Sequence, residues 1–297
     1  MPELPEVETC RRDLDAFFTG SPIAGIRLYR NDLLVGKTFE FPGKGWVGTG
    51  IGRHGKTLMF GLSLMEEDPE SGGLERVTLY LLARFGMSGG WRRTESPLNP
   101  VHTHLEIRFS DRLTRLLWVD PRRFGRLELT DDLSSSRILS HTGPDALSLS
   151  PSDLETIVRQ SSRSIREILM DQRSIAGIGN IYMAEILFQA GISPFTKGED
   201  LSPIALLRLH RAIHSILAEA IRSGGSTIHS FTRENGEEGG FQKWHLVYGR
   251  QGLPCTRCAL PIQRNVINQR ALYFCSSCQG PGKSTIRRIF FRDSREI

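Results

Sequence analysis

The sequence predicts a multidomain α and β protein in three parts: a β-rich N-terminal unit opened by a helix, a helical middle unit, and a small C-terminal unit built on four cysteines. Three observations predict it. Short strand-like runs separated by Gly, Pro, Asn and Asp fill residues from about 21 to 130. Helical periodicity with capping residues takes over at Ser150. Two Cys-x2-Cys pairs, Cys255/Cys258 and Cys275/Cys278, lie near the end. At 297 residues the chain is long enough for two or three compact units, each with its own core.

Each element rests on its residues. Val7, Cys10, Leu14, Phe17 and Phe18 form one apolar stripe at the helical period, and Pro5 suits a first turn, where its missing N–H costs nothing. Ile26–Tyr29, Thr57–Leu64, Val77–Leu82, Leu105–Phe109, Arg115–Val119 and Leu127–Leu129 read as strands. Many short strands with frequent Gly predict a sandwich or barrel. The acidic, Gly/Ser-rich Glu66–Gly73 reads as an extended hairpin tip, and Leu133–Ser150, with Gly143-Pro144, as a linker. Ser150-Pro151-Ser152-Asp153 then offers a cap, a first-turn proline and a capping-box acid. Helices are also expected over Ile165–Asp171, Asn180–Ala190 and Pro203–Arg222, followed by a Gly- and Glu-rich loop, Arg233–Gly240. The expected divisions are 1–132, 133–149, 150–240 and 241–297.

Hydrophobic residues make up 39% and charged residues 24% of the chain, the balance of a soluble globular protein. The start lacks the n- and h-regions of a signal peptide, and no apolar run is long enough to span a bilayer. A cytoplasmic protein with no membrane partner, and a monomer, is expected. The net charge of +5 is unevenly placed: Phe241–Ile297 holds ten Lys or Arg against two Asp or Glu, a local +8, which leaves about −3 for the rest. A basic C-terminal unit beside a near-neutral body points to a phosphate-rich partner. An ordinary solvated basic end is the alternative.

The spacing Cys255-x2-Cys258-x16-Cys275-x2-Cys278 matches a four-thiolate zinc site, with two disulfides or four unrelated cysteines as the alternative. A hairpin of Ile262–Ile267 and Ala271–Phe274 would bring the two pairs together. Four thiolates leave no open coordination position, so one structural zinc ion is expected rather than a catalytic one. Asn268-Gln269-Arg270 would form the hairpin tip, with Gln269 and Arg270 placed to enter a groove or grip phosphate. Cys10, on the apolar stripe, reads as core.

The N-terminus carries a possible reagent. Pro2 is small enough for the initiator methionine to be removed, which exposes a secondary amine. An α-amino group, with a pKa of about 7.7–8.0, is far less protonated at neutral pH than a lysine. Its attack on a sugar's anomeric carbon gives an iminium with no N–H to lose. That cation acidifies the adjacent carbon and favours strand-breaking elimination. Glu3 lies beside the amine as a candidate for moving protons during ring opening, with Glu6 in support. The plainer alternative is that Pro2 and Pro5 only start a helix.

Several blocks, taken together, resemble the formamidopyrimidine-DNA glycosylase family. They are Met1-Pro2-Glu3-Leu4-Pro5-Glu6-Val7-Glu8-Thr9, Phe85-Gly86-Met87-Ser88-Gly89, His102-Thr103-His104, Asp120-Pro121-Arg122-Arg123-Phe124-Gly125, Gly177-Ile178-Gly179-Asn180-Ile181-Tyr182 and Val247-Tyr248-Gly249-Arg250, with Gln269-Arg270 before the second cysteine pair. They stand in family order from residue 1 to about 278. The resemblance implies an N-terminal β-sandwich, a helix–two-turns–helix domain and a zinc finger, clamping double-stranded DNA that carries an oxidised base. It implies Pro2 as nucleophile, Glu3 as acid/base residue and Lys56 as the catalytic-pocket lysine. Met87, Arg122 and Phe124 would fill the space left by an extruded nucleotide: a thioether and a ring replace stacking, and a guanidinium bonds the orphaned base. Asn180 and Arg270 would clamp phosphate, with His102 and Arg166 as further DNA-binding residues. Family members excise 8-oxoguanine and ring-opened formamidopyrimidines, then cut the strand on both sides of the vacant sugar. The related endonuclease VIII type, which prefers oxidised pyrimidines, is the nearest alternative; Leu4 and the Arg122-Arg123-Phe124 run speak against it. A damaged-DNA-binding protein without chemistry is the other.

Four features depart from the family pattern. Arg166 stands where a lysine is usual, and His229-Ser230 replaces a stretch that often carries Asp. The loop Arg233–Gly240 is acidic at Glu237-Glu238, which leaves lesion preference open. The tail Gln279–Ile297, with Arg287-Arg288, runs past the usual end, as an addition to nonspecific DNA affinity or as a disordered end.

Overall fold

The computed structural model describes residues 2–36, 45–67, 74–226 and 239–280. The stripe of apolar residues forms helix α1 (Leu4–Phe18), and strands β1 (Ile23–Leu28), β2 (Val47–His54), β3 (Thr57–Glu67), β4 (Leu74–Arg84), β5 (Gly90–Thr94), β6 (Thr103–Phe109), β7 (Arg115–Val119) and β8 (Arg126–Thr130) follow. They make two antiparallel sheets, ordered β2-β3-β4-β8 and β1-β6-β7-β5. Alternate residues of each sheet face inward, so Leu58, Phe60, Leu81, Trp91, Ile107 and Trp118 are buried in one core. Ring centroids of Phe60 and Trp91 lie 4.6 Å apart, and those of Trp91 and Trp118 5.4 Å. The expected sandwich is the fold, and Val7, Cys10, Leu14 and Phe18 of α1 complete its core.

Two strands escaped the sequence reading. In β2, Gly48, Gly50 and Gly52 alternate with other residues and imitate turn signals. In β5, Trp91 is the one buried residue, too little for an alternation to register. The expected hairpin tip also begins later than Glu66, because Glu66 and Glu67 pair with Glu75 and Leu74; residues 68–73 lie outside the described residues, as do His229-Ser230, most of the loop Arg233–Gly240, and the tail beyond Gly280.

The segment 133–149 is fastened on both sides. The buried Glu128 carboxylate accepts from the Ser136 hydroxyl (2.6 Å) and from the N–H groups of Arg137 (2.8 Å) and Ile138 (2.9 Å). Further along, Ala146 N–H donates to the Ala176 carbonyl (3.0 Å) and Ala176 N–H to that of Pro144 (2.8 Å).

The middle unit holds α2 (Pro151–Arg159), α3 (Ile165–Met170), α4 (Asn180–Ala190) and α5 (Pro203–Arg222). The capping box expected at Ser150 forms, with its hydroxyl accepting from Asp153 N–H at 3.1 Å. Helix α4 is buried from Ile181 to Phe188 and stops at Gly191, whose left-handed conformation ends the helix. Leu4, in the first turn of α1, packs in this helical core and not in the sandwich. The start of the chain therefore bridges the two units. Strands β9 (Gln263–Ile267) and β10 (Arg270–Phe274) form the C-terminal hairpin. Asn268 and Gln269 alone make its turn, both at positive φ, so Arg270 is the first strand residue opposite Ile267 and not part of the tip. Among the described residues, no helix is long and apolar enough to cross a membrane.

Candidate active site

The junction between sandwich and helices is built around the loop before α4. A Cβ on Gly177 would sit 2.5 Å from Leu4 Cδ1, and one on Gly179 would sit 2.4 Å from the Glu3 carboxyl carbon, so the loop can lie against the N-terminal segment only with glycine at both positions. Gln172 holds it there: its Oε1 accepts from Gly177 N–H (3.0 Å) and its Nε2 donates to the Ile178 carbonyl (2.8 Å). Leu4 N–H donates to the Gly177 carbonyl (3.0 Å). These contacts seat the Glu3 carboxylate on the start of α4, where it accepts from the N–H groups of Gly179 (2.8 Å), Ile181 (3.0 Å) and Tyr182 (3.3 Å). Orphaned donors and the positive end of the helix dipole hold the anion in place, although Glu3 is only 3% exposed.

Glu6 stands directly behind. Its Oε2 accepts from Glu3 N–H (2.8 Å), and its Oε1 accepts from the Tyr182 hydroxyl (2.5 Å) and Ser226 N–H (2.7 Å). Ser226 Oγ in turn lies 3.1 Å from His245 Nε2. Burial, and next the charge of Glu3, push the Glu6 carboxyl up to about 7. Burial pushes His245 down to about 4, which keeps it neutral.

Lys56, on the turn between β2 and β3, reaches the same loop: its Nζ donates to the Ile178 carbonyl at 3.0 Å. Burial lowers the Lys56 pKa; Glu3 and Glu6 oppose that shift, and the Arg270 guanidinium adds to it. The turn is fixed from behind by Asp145, which accepts from Gly55 N–H (2.7 Å) and pairs with Arg53, itself bonded to Glu8 (3.1 Å). Glu3, Glu6 and Lys56 thus converge on one junction, where Pro2 is also buried. Gln172, Ser226, Asp145 and His245, which sequence reading missed, support the junction together with Tyr182, which stands in a recognised block but was given no role. Tyr182 meets Glu6 across 176 residues, a separation at which spacing carries no signal.

Met87, Arg122 and Phe124 lie on two turns of the sandwich, joined by the fully buried Asp120. Its Oδ1 accepts from Ser88 Oγ (2.5 Å) and its Oδ2 from Gly125 N–H (2.7 Å), while Ser88 Oγ accepts from Arg122 N–H (3.0 Å). Gly86, at φ +61°, comes so near the Phe124 backbone that a Cβ would be 2.5 Å from it. On this pinned framework Met87 is 38% and Phe124 51% exposed, and the Arg122 guanidinium lies 5.0 Å from the Phe124 ring centroid. His102 is exposed beside them, and its carbonyl accepts from Asp120 N–H (3.1 Å).

The four cysteine sulfurs all lie within 4.8 Å of one another, with Cys255–Cys278 at 3.8 Å and Cys258–Cys275 at 3.5 Å. Thiolates about 2.3 Å from a tetrahedral zinc ion are about 3.8 Å apart, so the set fits one structural zinc and is too open for disulfides. The cysteine turns grip the far end of α4: Arg257 donates to the Phe188 carbonyl (2.8 Å) and Gln279 to that of Ile192 (3.0 Å). At the near end, Asn180 Nδ2 donates to the Ala271 carbonyl (2.8 Å). Gly179 is the helix cap. Arg166 is only 4% exposed and donates to the Ile267 carbonyl at 3.3 Å, beneath the hairpin. Arg270 is exposed and near enough to lower the pKa of both Lys56 and Arg166, in each case after the larger effect of burial.

Known proteins share this sequence pattern and fold. Family models match residues 1–127 (formamidopyrimidine-DNA glycosylase N-terminal domain), 142–232 (formamidopyrimidine-DNA glycosylase H2TH domain) and 252–280 (zinc finger found in FPG and IleRS). A formamidopyrimidine-DNA glycosylase of Thermus thermophilus is 38% identical over 289 residues, covering 95% of this chain and 100% of the relative. The chain belongs to the formamidopyrimidine-DNA glycosylase family. Membership makes it a base-excision DNA glycosylase for damaged bases. The Thermus thermophilus crystal structure matches with a TM-score of 0.79 at 36% identity, covering 95% of this chain and 100% of that one. A Lactococcus lactis protein of the family, in complex with DNA containing an oxidised pyrimidine, matches with a TM-score of 0.79 at 30% identity, covering 94% and 100%.

Proposed function

We propose that this glycosylase excises oxidised purines, 8-oxoguanine and formamidopyrimidines, through a Schiff base on its N-terminal proline, and then cleaves the strand by β,δ-elimination. The single observation that carries this reading is the Glu3 carboxylate, buried beside Pro2 and fixed on three N–H groups at the start of α4. With Met1 removed, the Pro2 nitrogen attacks the anomeric carbon of the damaged nucleotide. The base departs with the electrons of the glycosidic bond. The Glu3 carboxylate takes the proton that the Pro2 nitrogen loses on forming the new bond and passes it to the ring oxygen as the sugar opens to the iminium. Loss of the proton next to the iminium carbon expels the 3′ phosphate, and a second elimination expels the 5′ phosphate. Lys56, its pKa lowered by burial, is a second group able to exchange protons in the pocket.

The remaining residues handle duplex DNA. Met87, Arg122 and Phe124 fill the vacancy when the damaged nucleotide leaves the stack, a step that costs a few kcal/mol. Asn180 and Arg270 hold backbone phosphate, with His102 as a further contact. Arg166, being buried, braces the hairpin that carries Arg270 rather than touching DNA itself. The protein acts as a monomer.

A second reading, preference for oxidised pyrimidines, is favoured by the DNA bound to the Lactococcus lactis relative. Release from duplexes bearing 8-oxoguanine, a formamidopyrimidine or thymine glycol separates the two. The purine lesions are expected to be released faster, leaving a one-nucleotide gap with phosphate at both ends. Faster release of thymine glycol would overturn the substrate, and strand breaks from β-elimination alone would overturn the second cleavage.

A further inference from the structure

The middle of α5 carries two histidines that the repair reaction does not use. His210 and His214 lie one helical turn apart, and their Nε2 atoms meet the same Leu149 carbonyl at 2.8 and 3.1 Å. The two Nε2 atoms are 3.1 Å from each other, and the ring centroids are 4.4 Å apart. Both rings are half-buried, whereas Leu149, just before the cap of α2, is buried.

The two lone pairs of the Leu149 carbonyl can accept from both Nε2 atoms, which then stand as two donors 3.1 Å apart; if either lacks hydrogen, its lone pair faces a carbonyl lone pair. One cation satisfies all three atoms at once. Donors about 2.1 Å from a metal ion are about 3.0 Å apart when cis in an octahedron and about 3.4 Å apart in a tetrahedron. The observed edges lie near the octahedral value, and the solvent side of the half-buried rings leaves room for water to complete the shell.

We propose that His210, His214 and the Leu149 carbonyl form a second metal site, separate from the four thiolates, for a late first-row divalent ion. Imidazole is a preferred ligand of such ions. Among the described residues, the four cysteines are the one group of three or more metal-ligating side chains, so a site with two is weaker and exchangeable. Occupancy ties the middle of α5 to the start of α2 and stabilises the helical unit, away from the chemistry.

The test is titration of the intact, zinc-loaded protein with nickel(II), followed by calorimetry and thermal unfolding. One saturable equivalent is expected, with zinc retained and Tm rising with nickel concentration. His210→Gln and His214→Gln should each weaken binding by about 10–100-fold or more, since losing a ligand costs at least as much as losing its supporting partner, and each should abolish the rise in Tm. Nickel binding unchanged in both variants, no saturable binding by the parent protein, or binding only as zinc is displaced would each overturn the site.

Discussion

The junction around Glu3 and the two exposed turns invert the usual distribution of side chains in opposite ways. At the junction, Glu3 and Glu6 are polar groups drawn out of water and Lys56 is half-buried; on the turns, Met87 and Phe124 are apolar groups held in it. Each inversion is stabilised by buried hydrogen bonds. The N–H groups at the start of α4 satisfy Glu3, and Asp120 pins both turns so that Met87 and Phe124 stay exposed instead of collapsing inward. Removing the support should therefore fail differently in the two places: loss of chemistry with binding kept at the junction, and loss of binding and stability at the turns.

The largest effect is expected from Glu3→Gln, which keeps the shape but removes the proton-transfer group. Single-turnover excision should fall by about 10²–10⁴-fold while binding to a lesion duplex persists. A loss below tenfold would take Glu3 out of the proton transfer. Next comes Asp120→Ala. It removes two hydrogen bonds to a buried carboxylate, each worth about 1.5–3 kcal/mol, so Tm should drop and lesion binding weaken together. An unchanged affinity would mean that the turns do not act as a unit.

Glu6 sharpens the contrast through pH. Its folded pKa of about 7 lies above the ordinary 4.5, so the stability it confers is complete below pH 4.5 and is lost as pH rises through 7. The loss is on the order of 3 kcal/mol. Glu6→Ala should lower stability overall yet flatten its pH dependence between pH 5 and 8 in denaturant unfolding; parallel curves for the two proteins would disprove the raised pKa. The smallest effect is expected from Arg270→Ala. The slope of log affinity against log salt should shrink by about 0.9, one phosphate's worth, and the Lys56 pKa should rise as a positive neighbour disappears. An unchanged salt slope would remove Arg270 from the phosphate contact.

What could be read in the sequence divides along similar lines. Helices α4 and α5 match their expected limits to the residue because caps and glycine stops are local signals. The cysteine quartet was legible because thiolate spacing follows from the geometry of a single ion. Pro2, Glu3 and Glu6 were legible as one cluster because they are neighbours in sequence. Lys56 came only through family resemblance, since its partner carbonyl lies 122 residues away. Asp120 sits inside a recognised motif, but its role depends on Ser88, 32 residues earlier, and on a turn whose path the sequence does not reveal. Arg166 is a cation under a hairpin; the Ile267 carbonyl that receives it leaves no mark in the sequence.

The most direct measurement is borohydride reduction during reaction with an 8-oxoguanine duplex, followed by peptide mapping of the trapped protein. The sugar should be found on the nitrogen of Pro2, in a chain from which Met1 is absent. A sugar attached to Lys56, or fully active protein that still begins with Met1, would contradict catalysis by the proline amine.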